Sequence, residues 1–318
     1  MIAVMKTITP FESNAIVFLR FVAMSMIMAC HIVLSYGSNY YAVLNMGVQI
    51  FFILSAFLYA QKEIGTPLTW FKKRILKLYP PFLFFIAFAL PFLFIFHPEL
   101  FSIKKIIFYL LNCQWFLGGE QYDELDHLWF LTTIFICYLI TPLLQKISDS
   151  KYGKYSSVVV GALMVANYHI TNGKLDWFFL YAFSYFLFRS KKTVDWLVIA
   201  ILLVLLSIPL IQINWAHILS VDWVRLSAFD ICSLLIVILS LRIFAYFRFD
   251  GCPQVVKWIS NYSFEIYIVH NFFIHGTFSC SYLTDSVLLN VCIILFVSIT
   301  LAYVLRMMTK KAVTLIDL

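Results

Sequence analysis

The chain alternates between long apolar runs and short polar breaks. Apolar runs of about 20 residues are long enough to cross the hydrocarbon core of a membrane as α-helices. Residues 106–117 are also apolar, but this run is too short to span and predicts an interfacial or re-entrant helix. We predict ten membrane spans, at residues 14–36, 43–60, 79–97, 127–146, 155–171, 175–189, 195–213, 226–247, 260–276 and 286–308.

Composition points to the same class of protein. Hydrophobic residues make up 63% of the 318 residues and charged residues only 12%, and the mean hydropathy is +0.91. A water-soluble chain of this length needs many more charged side chains to cover its surface. We therefore predict an all-α, polytopic membrane protein with one domain, residues 1–318. The run 14–36 is long enough to remain as the first helix, unlike a cleaved signal peptide.

The distribution of positive charge predicts the orientation. All but five of the 23 lysine and arginine residues fall in segments that share a side if the N-terminus is cytoplasmic; the exceptions are Arg20, Lys104, Lys105, Lys174 and Arg225. This asymmetry is typical of inner-membrane proteins, whose cytoplasmic loops are positively charged. It predicts cytoplasmic N- and C-termini in a multi-pass inner-membrane protein. The same asymmetry explains the net charge of +7, so we expect no nucleic-acid partner.

The seven cysteines are scattered, mostly within apolar runs. They form no CxxC pair and show no spacing that is typical of metal ligands. We interpret them as small packing residues and expect no metal site.

Two ionisable residues in the first predicted span are candidates for function. Arg20 and His31 are separated by 11 residues, or about three helical turns, so they lie on the same face of a helix. Charged or titratable side chains are costly in lipid and mark functional sites by default. The simpler alternative is that Arg20 reaches the interface and His31 bonds to a neighbouring helix. An imidazole at this depth can act as a general base or as a nucleophile that carries an acyl group.

A basic run, residues 69–81, directly precedes and enters the third predicted span. Such a run can simply enforce topology and contact anionic lipid. The alternative is recognition of phosphate, because Arg74 and Lys77 share a helical face near a predicted helix N-terminus, with Lys73 beside them.

Other predicted spans also contain polar side chains. Hydrogen bonding between helices is the simplest role for any one of them. These residues are Gln49 and Ser55 in the second span, Asp126 and His127 at the start of the fourth, and Asn261, Tyr262, Ser263, Glu265 and His270 in the ninth.

Together these strings resemble the acyltransferase-3 family of membrane acyltransferases. Five parts match in order and cover most of the chain. They are the Arg20 and His31 pair, the GV-x-x-FF-x-x-S-x-F string at 47–57, the basic run before Tyr-Pro at 73–80, the LWFL string at 128–131, and a string similar to SYS-x-x-IY-x-x-H at 261–270.

The resemblance implies a ten-helix core that takes an acyl group, usually acetyl, from cytoplasmic acyl-CoA and transfers it to a hydroxyl on the outer side. By similarity, His31 is the catalytic residue and Arg20 its partner. Arg74 and Lys77 match the paired arginines at the mouth of the donor site, with Lys73 nearby. The expected partners are acyl-CoA, membrane lipid, and a polysaccharide or lipid-linked glycan of the cell envelope.

The chain departs from the family pattern at three positions. Lys77 replaces an arginine, which keeps the charge but loses the planar group that binds phosphate bidentately. Gln49 stands where many relatives carry an acid, and Ala56 replaces a common glycine. If an acid normally orients the histidine, another group must do so here; the candidates are Asp126, Glu120 and Glu265.

These expectations combine into one mechanism. The phosphates of CoA bind Arg74, Lys77 and Lys73, and His31 either deprotonates the acceptor hydroxyl or first takes the acyl group. Polar side chains support the reaction and stabilise the oxyanion, and the candidates are Gln49, Ser55, Tyr262 and Glu265. Two alternatives remain at this point: a transporter or flippase of a glycan or lipid-linked intermediate, and a sensor that uses the same scaffold without chemistry.

Overall fold

The computed structural model describes residues 8–171, 173–190 and 222–316. These residues form helices joined by turns and contain no strand, so the all-α class is confirmed for them. The predicted span 195–213 lies outside the described residues. The α-helices are α1 (Pro10–Ser35), α2 (Tyr41–Leu44), α3 (Met46–Ala60), α4 (Pro67–Phe96), α5 (Ile103–Leu110), α6 (Trp129–Ser148), α7 (Ser156–Thr171), α8 (Asp176–Arg189), α9 (Asp222–Tyr246), α10 (Gln254–Val269) and α11 (Val287–Ile316).

Six helical segments of the described chain are long and apolar enough to cross a membrane: Pro10–Ser35, Tyr41–Ala60, Pro67–Phe96, Asp123–Ser148, Ser227–Tyr246 and Val287–Lys311. Three other predicted spans coincide with α7, α8 and α10, which have 16, 14 and 16 residues. A helix of this length is shorter than a bilayer core requires. The count of ten and the cytoplasmic termini therefore remain predictions.

The outer surfaces of the helices are strongly apolar. The most apolar window of Val287–Lys311 has a hydropathy of 2.6, yet only 22% of it is buried inside the protein. Exposed apolar area on this scale is unfavourable in water and favourable against lipid chains. This pattern indicates a membrane protein.

The chain divides into two compact units. Unit 1 contains Met1–Ala23, Asn45–Ile64 and Leu139–Lys257, and unit 2 contains Met24–Leu44, Gly65–Tyr138 and Trp258–Leu318. Helices α1, α6 and α10 contribute residues to both. In unit 1, α3 packs against α8 and α9, and α7 packs against α8. In unit 2, α4 packs against α5 and α11.

Arg189 connects the ends of several helices in unit 1. Its guanidinium donates to the backbone carbonyls of Ala60 (3.2 Å) and Lys62 (3.1 Å), at the C-terminus of α3. It also forms ion pairs with Glu63 (2.7 Å) and Asp149 (3.2 Å). The last carbonyls of a helix have no intrahelical donors, so Arg189 satisfies groups that the helix leaves open.

The segment after α10 is held firmly within unit 2. The carbonyl of Ser281 accepts hydrogen bonds from the Tyr36 hydroxyl (2.5 Å) and the Asn290 amide (2.8 Å). Beneath it, Ile32, Ile274 and Ile294 form a buried apolar cluster. This segment is therefore fixed against α1 and α11 at the end of α1 that carries His31.

Several helix boundaries differ from the predicted spans, and two of them bear on the site. Helix α4 begins at Pro67, twelve residues before the predicted 79, so the basic run is helical and Pro80 and Pro81 lie inside the helix. Helix α10 ends at Val269, where the prediction continued to 276. Hydropathy marks the part of a chain that lipid can cover, which is not the same as the part that is helical.

Candidate functional site

Helix α1 carries the predicted catalytic pair. It is continuous from Pro10 to Ser35, so Arg20 and His31 share a face of one helix as predicted. Arg20 belongs to the part of the helix in unit 1, and His31 to the part in unit 2.

Four imidazoles meet in unit 2, and we call them the histidine cluster: His31, His127, His270 and His275. The ring centroid of His31 lies 5.1 Å from that of His270, 5.7 Å from His275 and 6.2 Å from His127. The rings of His127 and His270 are 4.9 Å apart. His31 therefore lies next to each of the other three rings.

Two short 3-10 helices position the partners of His31. His127 lies in Asp123–Leu128, and His270 begins His270–Phe273. The Asn271 amide donates to the Asp126 carboxylate (3.0 Å), and the Tyr267 hydroxyl donates to the backbone carbonyl of His127. The first bond connects the two 3-10 helices, and the second holds the His127 backbone against α10, directly before His270.

Burial divides the histidine cluster into two pairs. His127 and His270 are 2% and 0% exposed, whereas His31 and His275 are partly exposed. The two partly exposed rings stand edge to face at 74°. His31 and His275 are therefore the more accessible members of the histidine cluster.

The donor set of this cluster suits proton transfer better than metal binding. No group of three or more His, Cys, Asp or Glu side chains within the described residues has the arrangement of a metal site. Neutral imidazoles each offer one donor and one acceptor, so a cluster of them can hold and move a proton.

The three acids that we considered as partners of His31 are hydrogen-bonded or paired elsewhere. Glu120 forms an exposed ion pair with Lys104 (2.7 Å), which holds the pKa of the Glu120 carboxyl below its usual range. Asp126 accepts from Asn271. Glu265 lies 3.8 Å from the guanidinium of Arg306.

A second group of side chains in unit 2 surrounds Glu265, and we call it the basic cluster. Lys77 of α4 and Arg306 and Lys310 of α11 all act electrostatically on the Glu265 carboxylate. Arg306 also lies over the Tyr262 ring, 4.4 Å from its centroid. Tyr262 precedes His270 by eight residues, about 12 Å along a helix, so Tyr262 and Glu265 belong with the basic cluster.

Lys73 and Arg74 lie on the same helix as Lys77. Arg74 is half-buried with its guanidinium 5.3 Å from the centroid of the Trp70 ring, and Lys73 is exposed. Because α4 begins at Pro67, Arg74 lies about two turns inside the helix. The helix N-terminus that we expected to assist phosphate binding is therefore not at Arg74, because the dipole effect fades within the first turn.

Gln49 and Ser55 belong to α3 in unit 1. Gln49 is fully buried and its amide approaches the carboxylate of Asp230 on α9. Asp230 accepts from the Tyr168 hydroxyl and interacts with Asp176, and both aspartates are 1% exposed. Gln49 is therefore part of a buried polar group that contains two carboxyl side chains.

Sequence reasoning missed His275 and the participation of Arg306. We noted His127 and His270 among the polar side chains of the predicted spans, and His270 also as the end of a family string, but we gave neither a role. The signal for His275 was present, because it is a titratable residue in a largely apolar stretch. Arg306 lies near the end of the last predicted span, and the sequence suggests no role for it beyond setting the orientation in the membrane.

Gly276, which follows His275, packs closely against Glu124 and offers a test of how much this contact stabilises the protein. Its φ is +74°, and a Cβ added there would overlap the buried carboxylate of Glu124, which accepts from the Thr277 backbone N–H (2.8 Å). We expect Gly276→Ala to lower the free energy of unfolding by about 1–3 kcal/mol, through the strained backbone and the displaced carboxylate. Thermal unfolding of the purified protein in detergent measures the loss.

Gly37→Ala is the matched control for this prediction. Gly37 has a φ of +72° in the same unit, but an added Cβ would meet nothing within 4 Å. Alanine at residue 37 therefore carries only the backbone cost. If the two variants lose equal stability, the contact with Glu124 is unimportant.

Comparison with protein families covers most of the chain. A protein-family model described as an acyltransferase domain, Acyl_transf_3, matches residues 14–307. Neither the curated proteins nor the solved structures provide a match. The matched range covers nearly the whole chain and contains the histidine cluster and, except for Lys310, the basic cluster. The chain therefore belongs to the acyltransferase-3 family of membrane acyltransferases.

Proposed function

We propose that this protein transfers an acyl group, most simply acetyl, from cytoplasmic acyl-CoA to a hydroxyl of a cell-envelope polysaccharide or lipid-linked glycan at the inner membrane. The observation that carries the proposal is the partly exposed His31 at the centre of the histidine cluster, within a chain of the acyltransferase-3 family. An imidazole with one accessible side and buried support suits general base catalysis.

The basic cluster supports an acyl-CoA donor. CoA carries several phosphates, and lysine and arginine side chains bind phosphate through charge-assisted hydrogen bonds. Lys77, Arg306 and Lys310 converge around Glu265 on helices that also belong to unit 2. The long pantetheine arm of CoA then lets the thioester reach a catalytic residue at a distance from the phosphates.

A direct test is turnover of acyl-CoA by the purified full-length protein in lipid vesicles. We expect release of free CoA thiol that depends on an added glycan with free hydroxyls, and labelled acyl groups on that glycan as an ester. Acetyl-, succinyl- and butyryl-CoA, compared side by side, identify the donor. A flippase would move the glycan across the vesicle membrane without consuming acyl-CoA; family membership does not favour that alternative.

Arg74→Ala tests the donor site. Loss of a charge-assisted hydrogen bond to phosphate costs about 1.5–3 kcal/mol, so we expect the KM for acyl-CoA to rise roughly tenfold or more. We expect the KM for the acceptor to stay within about twofold, because the proposed function places no contact between the acceptor and α4. Steady-state kinetics with each substrate varied in turn measures both constants.

Lys72→Ala is the control for this variant. Lys72 is an exposed lysine of the same basic run on α4. Lys72→Ala removes one positive charge, as Arg74→Ala does, but on a different face of the helix. An equal rise in KM for both variants would show that the charge of the run, and not the position of Arg74, attracts the donor.

A further inference from the structure

The backbone fixes where the protons lie in two rings of the histidine cluster. His270 Nδ1 lies 2.7 Å from the carbonyl of Tyr267, and His127 Nε2 lies 3.1 Å from the carbonyl of Ile268. A carbonyl oxygen can only accept, so each of these ring nitrogens carries a proton. In the neutral rings the other nitrogen, Nε2 of His270 and Nδ1 of His127, is then a bare acceptor.

These bare acceptors are buried next to His31. His270 Nε2, His127 Nδ1 and His31 Nδ1 are all inaccessible to solvent and have no hydrogen-bond partner among the described residues. Leaving buried polar atoms without partners is costly, so such groups call for an explanation. A hydrogen bond between His31 and one of these acceptors during the reaction would give these atoms a role.

The separation of the His31 and His270 ring centroids is compatible with a hydrogen bond between the two imidazoles. Two imidazoles that share an N–H···N bond have ring centroids about 5 Å apart, given an N···N distance of about 3 Å. The centroids of His31 and His270 are 5.1 Å apart, the shortest of the three distances from His31. The two rings are therefore close enough for such a bond, although His31 Nδ1 and His270 Nε2 do not form it in this structure.

Among the described residues of unit 2, no carboxylate accepts a hydrogen bond from His31 Nδ1. Asp126 accepts from Asn271, Glu124 accepts from the Thr277 backbone, and Glu265 lies beside Arg306. In many hydrolases an acid accepts the second N–H of the catalytic histidine, holds the ring in one tautomer and stabilises its charged form. A neutral imidazole with a bare nitrogen can supply the same acceptor without adding a buried negative charge.

We infer that His270 is the positioning residue of His31: its Nε2 accepts a hydrogen bond from His31 Nδ1–H and so leaves His31 Nε2 free to act as the base. This inference rests on the proposed function and identifies the group that replaces the expected acid. Within the described part of the chain, the rings of His275 and His127 also lie next to the His31 ring.

The step balances with no further reactant. The acceptor oxygen attacks the thioester carbonyl carbon while its proton moves to His31 Nε2. His31 is then an imidazolium, and its Nδ1–H bond to His270 Nε2 strengthens. The C–S bond breaks, His31 Nε2 gives the proton to the departing sulfur, and free CoA thiol and the acyl ester leave the site. His31 and His270 are neutral before and after the step.

Two substitutions of His270 separate positioning from structural support. The amide of glutamine reaches the place of Nε2, so His270→Gln keeps an acceptor toward His31 and loses the bond to Tyr267. The amide of asparagine reaches the place of Nδ1, so His270→Asn keeps the bond to Tyr267 and loses the acceptor. We expect His270→Gln to retain at least tenfold more kcat than His270→Asn, with KM for acyl-CoA within about twofold of wild type in both.

The opposite order, or equal kcat values, would overturn the inference and leave only the structural bond to Tyr267. Thermal unfolding of each variant in detergent reports folding separately from kcat. Wild-type protein that transfers no acyl group from any acyl-CoA would instead overturn the proposed function. An active wild type with an inactive His31→Ala variant and equal His270 variants would overturn the inference alone.

Discussion

Replacement of His31 by alanine is expected to lower the rate of acyl transfer by about a thousandfold. General base catalysis by a positioned side chain contributes roughly 10²–10⁴-fold, and His31 is the ring that all three other members of the histidine cluster contact. The loss should fall on kcat, because His31 acts on the hydroxyl proton and not on the phosphates of the donor. Transfer of labelled acetyl to glycan in vesicles measures it.

Leu34→Ala is the matched control on the same helix. Leu34 is 40% exposed and lies about one turn beyond His31 on α1. It loses a side chain of comparable size without removing an imidazole, so its rate should stay near that of wild type. A His31→Ala variant that is fully active at normal expression would exclude His31 as the base and as an acyl carrier.

The sequence alone marks His31 as a candidate, but it does not reveal which side chains surround it. A histidine in an apolar helix is unexpected on grounds of energy alone, so a single span reveals it. His127, His270 and His275 come from chain segments about 100 to 240 residues away from it. Their meeting depends on the packing of the two 3-10 helices, and the hydropathy of each segment carries no information on that packing.

The helix boundaries show the same limit at the level of local structure. Apolar runs correctly placed α1, α3 and α6, where helix and lipid-covered segment nearly coincide. They missed the first turns of α4, because the basic run is helical but polar. The basic cluster depends on those turns and on α11, so its composition could not be predicted from charge patterning alone.

Gln49→Glu is expected to destabilise the protein severely, although the family resemblance led us to expect an acid at this position. Gln49 is fully buried and its amide approaches Asp230, which interacts with Asp176. A third carboxyl group at this point must either ionise in an apolar interior next to two others or stay protonated, and both are unfavourable. We expect a loss of about 3 kcal/mol, seen as a drop in Tm of roughly 5–10 °C in detergent.

Gln49→Met separates charge from shape, because methionine has a similar volume and cannot ionise. It removes the contact with Asp230, so we expect a loss of about 1 kcal/mol. The decisive variant is the double substitution Gln49→Glu with Asp230→Asn, which restores one amide and one carboxyl group at the two positions. If repulsion between carboxyl groups causes the loss of stability, the double variant recovers most of the Tm. If the losses of the two single variants simply add, glutamate at residue 49 destabilises the protein for another reason.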